Sequence, residues 1–100
     1  MRCLIDADAC PVVAIAVKLC RQYGVECVLY CDTCHRLAQY DAAVVTVSKG
    51  SDSADYAVAN DVQKGDVVIT QDYGLAAMCL ARGAQGINQD GRIYQNENID

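Results

Sequence analysis

The chain has 100 residues, of which 53% are hydrophobic, and a formal net charge of -5. A chain of this size buries roughly two thirds of its unfolded surface, so we expect one globular domain over residues 1–100. Only eight residues are Lys or Arg, which disfavours binding to nucleic acid through a basic surface. A nucleic-acid substrate would therefore need metal ions or basic residues elsewhere.

The first half of the chain alternates predicted strands with a helix. Cys3-Leu4-Ile5 is a short apolar strand, and Pro11 suits the first position of a helix. The apolar spacing over 12–23 predicts that this helix ends before Gly24. Two nearly continuous apolar runs follow, at 25–31 and 42–47, and they predict buried parallel strands.

The second half continues the alternation. Ser51 or Ser53 is predicted to cap a helix that Lys64-Gly65 ends. A strand over 67–70 then precedes a helix over 75–81, which Arg82-Gly83 closes. A last short strand near 85–88 leads into a predicted hairpin turn at 89–92.

This alternation predicts an α/β fold with three layers, in which a mostly parallel sheet of about five strands is covered on both faces. We expect the strand order 3-2-1-4-5, followed by a short C-terminal hairpin. The order is inferred from the acidic residues, since it makes the first and fourth strands neighbours and brings Asp6, Asp8 and Asp72 together. No leader or run of 18 apolar residues is present, so we expect a cytoplasmic protein with no membrane partner.

Five acidic residues are the candidate metal ligands. Asp6 and Asp8 follow the first strand, Asp72 follows the fourth, and Asp52 and Asp55 open a helix. Because ligands of open α/β sheets bind at the carboxyl ends of the strands, we expect these carboxylates to meet there. Close carboxylates repel one another unless a cation neutralises them, which predicts Mg²⁺ or Mn²⁺. The alternative is that Asp6 is simply solvent-exposed, that Asp8 and Asp72 are helix caps, and that Asp52 and Asp55 are ordinary helix-start residues.

Three further residues are weaker candidates for phosphate binding. His35, the single histidine, follows the second strand at the same edge of the sheet, where it could position a phosphate or transfer a proton. Lys49 and Ser51 lie in a loop near the predicted acids. A surface histidine and an ordinary Lys-Gly-Ser loop are the alternatives.

The seven cysteines are an odd number without an export signal, which disfavours a disulfide scaffold. Four of them occupy positions of small apolar residues and are expected to be reduced and buried: Cys3, Cys20, Cys27 and Cys79. The segment Cys31-Asp32-Thr33-Cys34-His35 matches the attachment motif of c-type haem, but the exported context is missing, so we expect no haem. Three ligands in five residues cannot close a tetrahedral site, so we expect no zinc. A thioredoxin-like redox pair or a zinc site remains the alternative.

Four sequence blocks, in order, give the chain a family resemblance: 6–11, 49–55, 65–76 and 94–100. In these blocks the chain resembles the YaiI/YqxD-like family of uncharacterised bacterial proteins, which lies near the PIN-like nuclease folds. The resemblance covers essentially the whole chain. The resemblance implies that Asp6, Asp55 and Asp72 hold Mg²⁺ or Mn²⁺, with Asp8 and Asp52 as additions shared by this family.

Two departures qualify what the resemblance implies. The Glu that PIN-like nucleases carry in an intervening helix has no counterpart, since Glu26 and Glu97 lie elsewhere, so Asp8 or Asp52 would substitute. Members of the family also commonly continue past the position of Asp100 into a basic tail.

Three functions follow as hypotheses. The leading one is a metal-dependent nuclease or other phosphodiesterase in which Asp6, Asp8 and Asp72 are catalytic and bound metal activates water. The alternatives are an aspartyl-phosphate phosphatase with Asp6 as nucleophile and Asp8 as acid/base, and a non-enzymatic module that binds metal or nucleotide. The expected partner is RNA or a nucleotide, and edge strands could pair in a homodimer.

Overall fold

The computed structural model describes residues 1–7, 10–31, 40, 42–47 and 54–95. The elements in chain order are β1 (Arg2–Asp6), α1 (Val13–Gln22), β2 (Glu26–Cys31), β3 (Ala43–Thr46), α2 (Ala54–Asp61), β4 (Val67–Ile69), α3 (Tyr73–Ala81) and β5 (Gln85–Ile87). Strands and helices alternate from β3 onward as the sequence predicts.

The five strands form one sheet in the order β3-β2-β1-β4-β5, and every pairing between neighbours is parallel. The predicted order 3-2-1-4-5 is therefore confirmed. β1 lies at the centre, where Leu4 is in register with Val28 on one side and Val68 on the other. Pairing of two copies through the edge strands β3 and β5 stays a prediction.

Helices cover both faces of the sheet. Because alternate residues of a strand point to opposite faces, neighbouring residues of β1 belong to different core clusters. Leu4 and Val68 belong to a core cluster that includes residues of α2 and α3, such as Val58 and Leu75. Ile5 belongs to a second cluster, which is built on α1. This arrangement confirms the α/β architecture with a helical layer on each side of the sheet.

Some helix boundaries differ from the predictions. α1 begins at Val13 rather than at Pro11, and its N-cap, Val12, has φ -116° and ψ 30° and makes no side-chain capping bond. With no capping side chain next to the proline, residues 11 and 12 form a turn before the helix. α2 ends at Asp61, earlier than predicted, and Gly65 with φ +90° closes the following turn. The predicted caps Ser51 and Ser53 lie outside the described residues.

The predicted turn after β5 is confirmed. The side chain of Asn88 accepts hydrogen bonds from the backbone N–H groups of Asp90 and Arg92, each 2.9 Å long. An antiparallel bridge between Ile87 and Ile93 follows. The returning chain then places Tyr94 beside Gly86, to whose carbonyl oxygen its N–H donates at 2.8 Å.

At the amino edge of the sheet, Arg2 and Asp66 tie the start of β1 to the start of β4. Asp66 is 4% exposed and accepts from both the backbone and the guanidinium of Arg2, at 3.0 and 2.8 Å, and from the N–H of Gln63. Burial by itself would raise the pKa of Asp66, but these hydrogen bonds outweigh it and lower that pKa. The ionised carboxylate is therefore the stable form in the fold.

None of the helices in the described part of the chain has the length and apolar character needed to span a bilayer.

Candidate functional site

The carboxyl edge of the sheet brings the end of β1 next to the end of β4. Ile5 and Ile69 are paired, so the residues that follow them, Asp6 and Thr70, lie side by side. Both are buried, with 5% and 1% of their surfaces exposed. The hydroxyl of Thr70 donates a hydrogen bond to Oδ2 of Asp6 at 3.2 Å. The two strands thus fix a carboxylate at the position where open α/β sheets bind ligands.

The same hydroxyl connects this carboxylate to Asp72. Oγ1 of Thr70 accepts a hydrogen bond of 3.0 Å from the backbone N–H of Asp72. A hydroxyl can donate one bond and accept others at the same time, so Thr70 uses both capacities. The carboxylate of Asp6 and the backbone of Asp72 are therefore joined through one side chain.

Asp72 is also the N-cap of α3. Its Oδ1 accepts from the N–H groups of Gly74 at 2.8 Å and Leu75 at 3.3 Å, and its backbone is extended, with φ -89° and ψ 111°. The cap starts α3 at Tyr73, two residues before the predicted start. The capping alternative is thus confirmed for Asp72, and the cap holds the carboxylate at the carboxyl edge of the sheet.

Tyr94 is hydrogen-bonded to the backbone of Thr70. Its hydroxyl donates a hydrogen bond of 2.9 Å to the carbonyl oxygen of Thr70, and Tyr94 is only 5% exposed. The ring of Tyr94 lies over Gly86, where an added Cβ would stand 3.1 Å from Cδ2 of the tyrosine. The rings of Tyr94 and Tyr73 form a T-shaped pair with centroids 5.3 Å apart. Burial, and then the neighbouring Tyr73 and Asp72, raise the pKa of Tyr94. Its hydroxyl therefore remains a donor at neutral pH.

The side chains of the other predicted site residues lie outside what the structure describes. Asp55 is the second residue of α2, and its side chain lies outside what the structure describes. Five more predicted site residues lie outside the described residues: Asp8, His35, Lys49, Ser51 and Asp52. Among the residues whose side chains are described, no group of three or more His, Cys, Asp and Glu could hold a metal. The structure places two of the five predicted acids, Asp6 and Asp72, at the ends of the neighbouring strands β1 and β4.

The donors at this edge suit a hard cation. Carboxylate oxygens are the ligands that Mg²⁺ prefers, and proteins usually bind it through one or two carboxylates together with waters and substrate phosphates. The thiol of Cys10 feels the charge of Asp6. Burial and, to a smaller extent, the charge of Asp6 raise the pKa of Cys10 despite an opposing bond to Val12, so the thiol stays protonated.

The cysteines that were expected to pack in the core do so. Cys3, Cys20, Cys27 and Cys79 are all buried and free. Burial is the main reason that the pKa of Cys27 rises to about 12 and that of Cys79 to about 11. These thiols are therefore inert at neutral pH. Cys31, at the end of β2, is disulfide-bonded, and the rest of the Cys-x-x-Cys-His motif lies outside the described residues.

Sequence reasoning missed Thr70 and Tyr94 as parts of the site. A signal for Thr70 was present, since it is a polar residue at the end of a buried apolar strand and two residues before an acid. Tyr94 lies in the last block of the family resemblance, but its contact with Thr70 depends on the turn at 88–92 and on the absence of a side chain at Gly86.

Comparison with known proteins gives a family match over most of the chain. Residues 4–100 match the sequence model described as "Uncharacterized BCR, YaiI/YqxD family". Relatives named "UPF0178 protein" are 49% identical in Exiguobacterium sibiricum, 49% in Ruminiclostridium cellulolyticum and 47% in Alkaliphilus oremlandii, each over 100 residues. The alignments cover all of this chain but 68%, 65% and 64% of those relatives, so the chain spans about two thirds of their length. No solved structure matches the chain.

Proposed function

The chain belongs to the YaiI/YqxD family, and we propose that it is a metal-dependent phosphodiesterase, a nuclease that cleaves RNA or a related nucleotide substrate. The observation that supports this most is the connection of Asp6 to Asp72 through the hydroxyl of Thr70. The link fixes Asp6 through its carboxylate and Asp72 through its backbone at the carboxyl edge of a parallel sheet, where this architecture binds substrates.

Each described residue has a separate part in the proposal. Asp6 and Asp72 bind Mg²⁺ or Mn²⁺, and Asp8, Asp52 and Asp55 complete the ligand set or replace waters in it. Thr70 keeps Asp6 and the start of α3 in fixed positions. When bound, the metal lowers the pKa of a water molecule and stabilises the leaving oxygen of the phosphodiester.

The charge of the chain agrees with a requirement for metal. A formal net charge of -5 repels a phosphodiester, and the sequence has only eight Lys and Arg residues to offset it. A divalent cation on the acidic edge reverses the local charge and lets a phosphate approach. His35, Lys49 and Ser51 are proposed as additional phosphate contacts at this edge.

Thermal unfolding in Mg²⁺ or Mn²⁺ tests the metal site. A ligand that binds only the folded protein stabilises it by about 2.7 kcal/mol at a concentration a hundred times its Kd, so the melting temperature of the wild type rises by several degrees. Asp6→Asn and Asp72→Asn remove the charges, while asparagine at 72 still caps α3. We expect both variants to lose most of the metal-dependent shift.

Glu26→Gln is the matched control, because Glu26 is an exposed acid at the start of β2, on the opposite edge of the sheet. It should retain the full shift. If the metal raised the melting temperature equally in the wild type, the control and both asparagine variants, the metal would bind elsewhere and the proposal would be rejected.

Cleavage assays separate this function from the alternatives. The wild type should cleave labelled RNA in Mn²⁺, and Asp6→Asn should reduce the rate by orders of magnitude. Metal stabilisation without cleavage of RNA, DNA or a dinucleotide supports the non-enzymatic binding module. A beryllofluoride adduct on Asp6 supports the aspartyl-phosphate phosphatase.

A further inference from the structure

Two exposed tyrosines directly follow predicted metal ligands. Tyr56 comes after Asp55 and Tyr73 after Asp72, and they are 60% and 59% exposed. Tyr56 lies in the first turn of α2 and Tyr73 is the first residue of α3. Both helices lead into the amino ends of β4 and β5, so each begins at the carboxyl edge of the sheet. The sequence thus repeats one pattern, an acid followed by an exposed aromatic residue, on two neighbouring helices.

The ring of Tyr73 packs against the ring of Tyr94. It meets Tyr94 edge to face, with centroids 5.3 Å apart and an angle of 77° between the planes. Tyr94 is in turn fixed by its bond to Thr70 and by its packing over Gly86. Tyr73 is therefore a partly immobilised aromatic surface next to Asp72, and its exposed part is available to a planar ligand.

Within these 100 residues phosphate contacts can supply little affinity for nucleic acid, because only eight of the residues are Lys or Arg and the net charge is -5. Stacking of bases on aromatic side chains gives about 1–3 kcal/mol per base and needs no positive charge. Bases in a duplex are stacked on each other and inaccessible, whereas unpaired bases can turn outward onto a protein ring.

We propose that Tyr73, together with Tyr56 on the neighbouring helix, stacks unpaired bases, so that the substrate of the carboxylate site is single-stranded nucleic acid and not a duplex. This inference rests on the proposed phosphodiesterase function. In this proposal, stacking on the tyrosines provides most of the affinity for the substrate, and the metal positions the phosphate that is cleaved.

One consequence is a weak dependence of binding on salt. Proteins that hold nucleic acid through several phosphate contacts lose roughly 10³–10⁵ in affinity between low and moderate salt. Binding through stacking and one metal-bound phosphate should lose only a few-fold over the same interval.

The test measures binding of a short, labelled, cleavage-resistant single strand of 2′-O-methyl phosphorothioate RNA by fluorescence anisotropy in Mg²⁺. A duplex of the same sequence, a DNA strand and free UMP are measured in parallel. We expect Tyr73→Ala and Tyr73→Leu to weaken single-strand binding about tenfold, Tyr56→Ala to weaken it less, and Tyr73→Phe to retain it.

Tyr23→Ala is the control, because Tyr23 is 76% exposed and follows the C-terminus of α1, at the other edge of the sheet. It should bind like the wild type. Equal binding by wild type and Tyr73→Ala, tighter binding of the duplex, or equal binding of free UMP would each overturn the inference.

The metal-dependent melting shift, measured in the same variants, separates this inference from the function on which it rests. Tyr73→Ala should retain the shift. A retained shift with binding that does not depend on Tyr73 rejects stacking and leaves the metal site intact. Binding that depends on Tyr73 in a protein that no metal stabilises supports stacking and rejects the phosphodiesterase.

Discussion

The hydroxyl of Thr70 donates a hydrogen bond of 3.2 Å to Asp6, a residue 64 positions earlier in the chain. The bond crosses from the end of β4 to the end of β1, and it forms only when these two strands are paired in the observed register. The geometry of the proposed metal site therefore depends on the pairing of the central strand β1 with its neighbour β4.

Thr70→Val tests this dependence. Valine keeps the shape but leaves the buried carboxylate of Asp6 without the hydroxyl donor, which should destabilise the fold by about 1–3 kcal/mol and reduce the metal-dependent melting shift. Thr70→Ser retains the hydroxyl and should retain most of the shift. Urea unfolding with and without Mn²⁺ measures both effects, and an unchanged shift in Thr70→Val would show that the hydroxyl does not position the site.

Tyr94→Phe removes one hydroxyl and leaves the ring over Gly86. The carbonyl oxygen of Thr70 then loses a buried hydrogen bond of 2.9 Å, so the free energy of unfolding should fall by about 1 kcal/mol. Tyr23→Phe alters an exposed tyrosine and should leave stability unchanged. If urea unfolding gives the two variants the same stability, the contact of Tyr94 contributes nothing measurable.

Asp66→Asn should lower stability at neutral pH by about 2 kcal/mol, because Arg2 loses its buried partner. The pKa of Asp66 is lowered in the fold, so its contribution is complete above the unfolded value of about 3.9 and disappears as the pH falls through the folded value. The wild type and the variant should therefore converge in acid. Melting curves between neutral pH and about pH 2 measure the difference, and a constant gap would contradict the assignment.

The buried thiols should resist alkylation. Because burial raises the pKa of Cys27 to about 12 and that of Cys79 to about 11, iodoacetamide near neutral pH should modify neither in the folded protein. Mass spectrometry should find Cys27 and Cys79 modified only once urea has unfolded the protein. Raised pKa values stabilise the fold fully below the unfolded thiol pKa, about 8.5, and progressively less as the pH rises towards the folded values. Rapid labelling of Cys27 in the native protein would contradict this account.

The sequence predicted the sheet well because local patterns determine it. Apolar runs separated by helical spacing indicate parallel strands, and the strand order followed from placing Asp6 next to Asp72. The contact of Thr70 with Asp6 was beyond such reasoning, since it requires the register between β1 and β4. The start of α1 was wrong by two residues, because Pro11 tolerates a turn as well as a helix and Val12 offers no capping atom.

The bonds that join Tyr94 to Thr70 and Thr70 to Asp6 also have a consequence for synthesis. They span 24 and 64 residues, so the residue that anchors Thr70 is made long after the carboxylate it helps to position. A ribosome that has released only β1 to β3 presents Asp6 without the strand that fixes it. The proposed metal site should therefore form abruptly in the nascent chain, once Tyr94 has emerged and the turn at 88–92 has closed, and not in steps as each acid is translated.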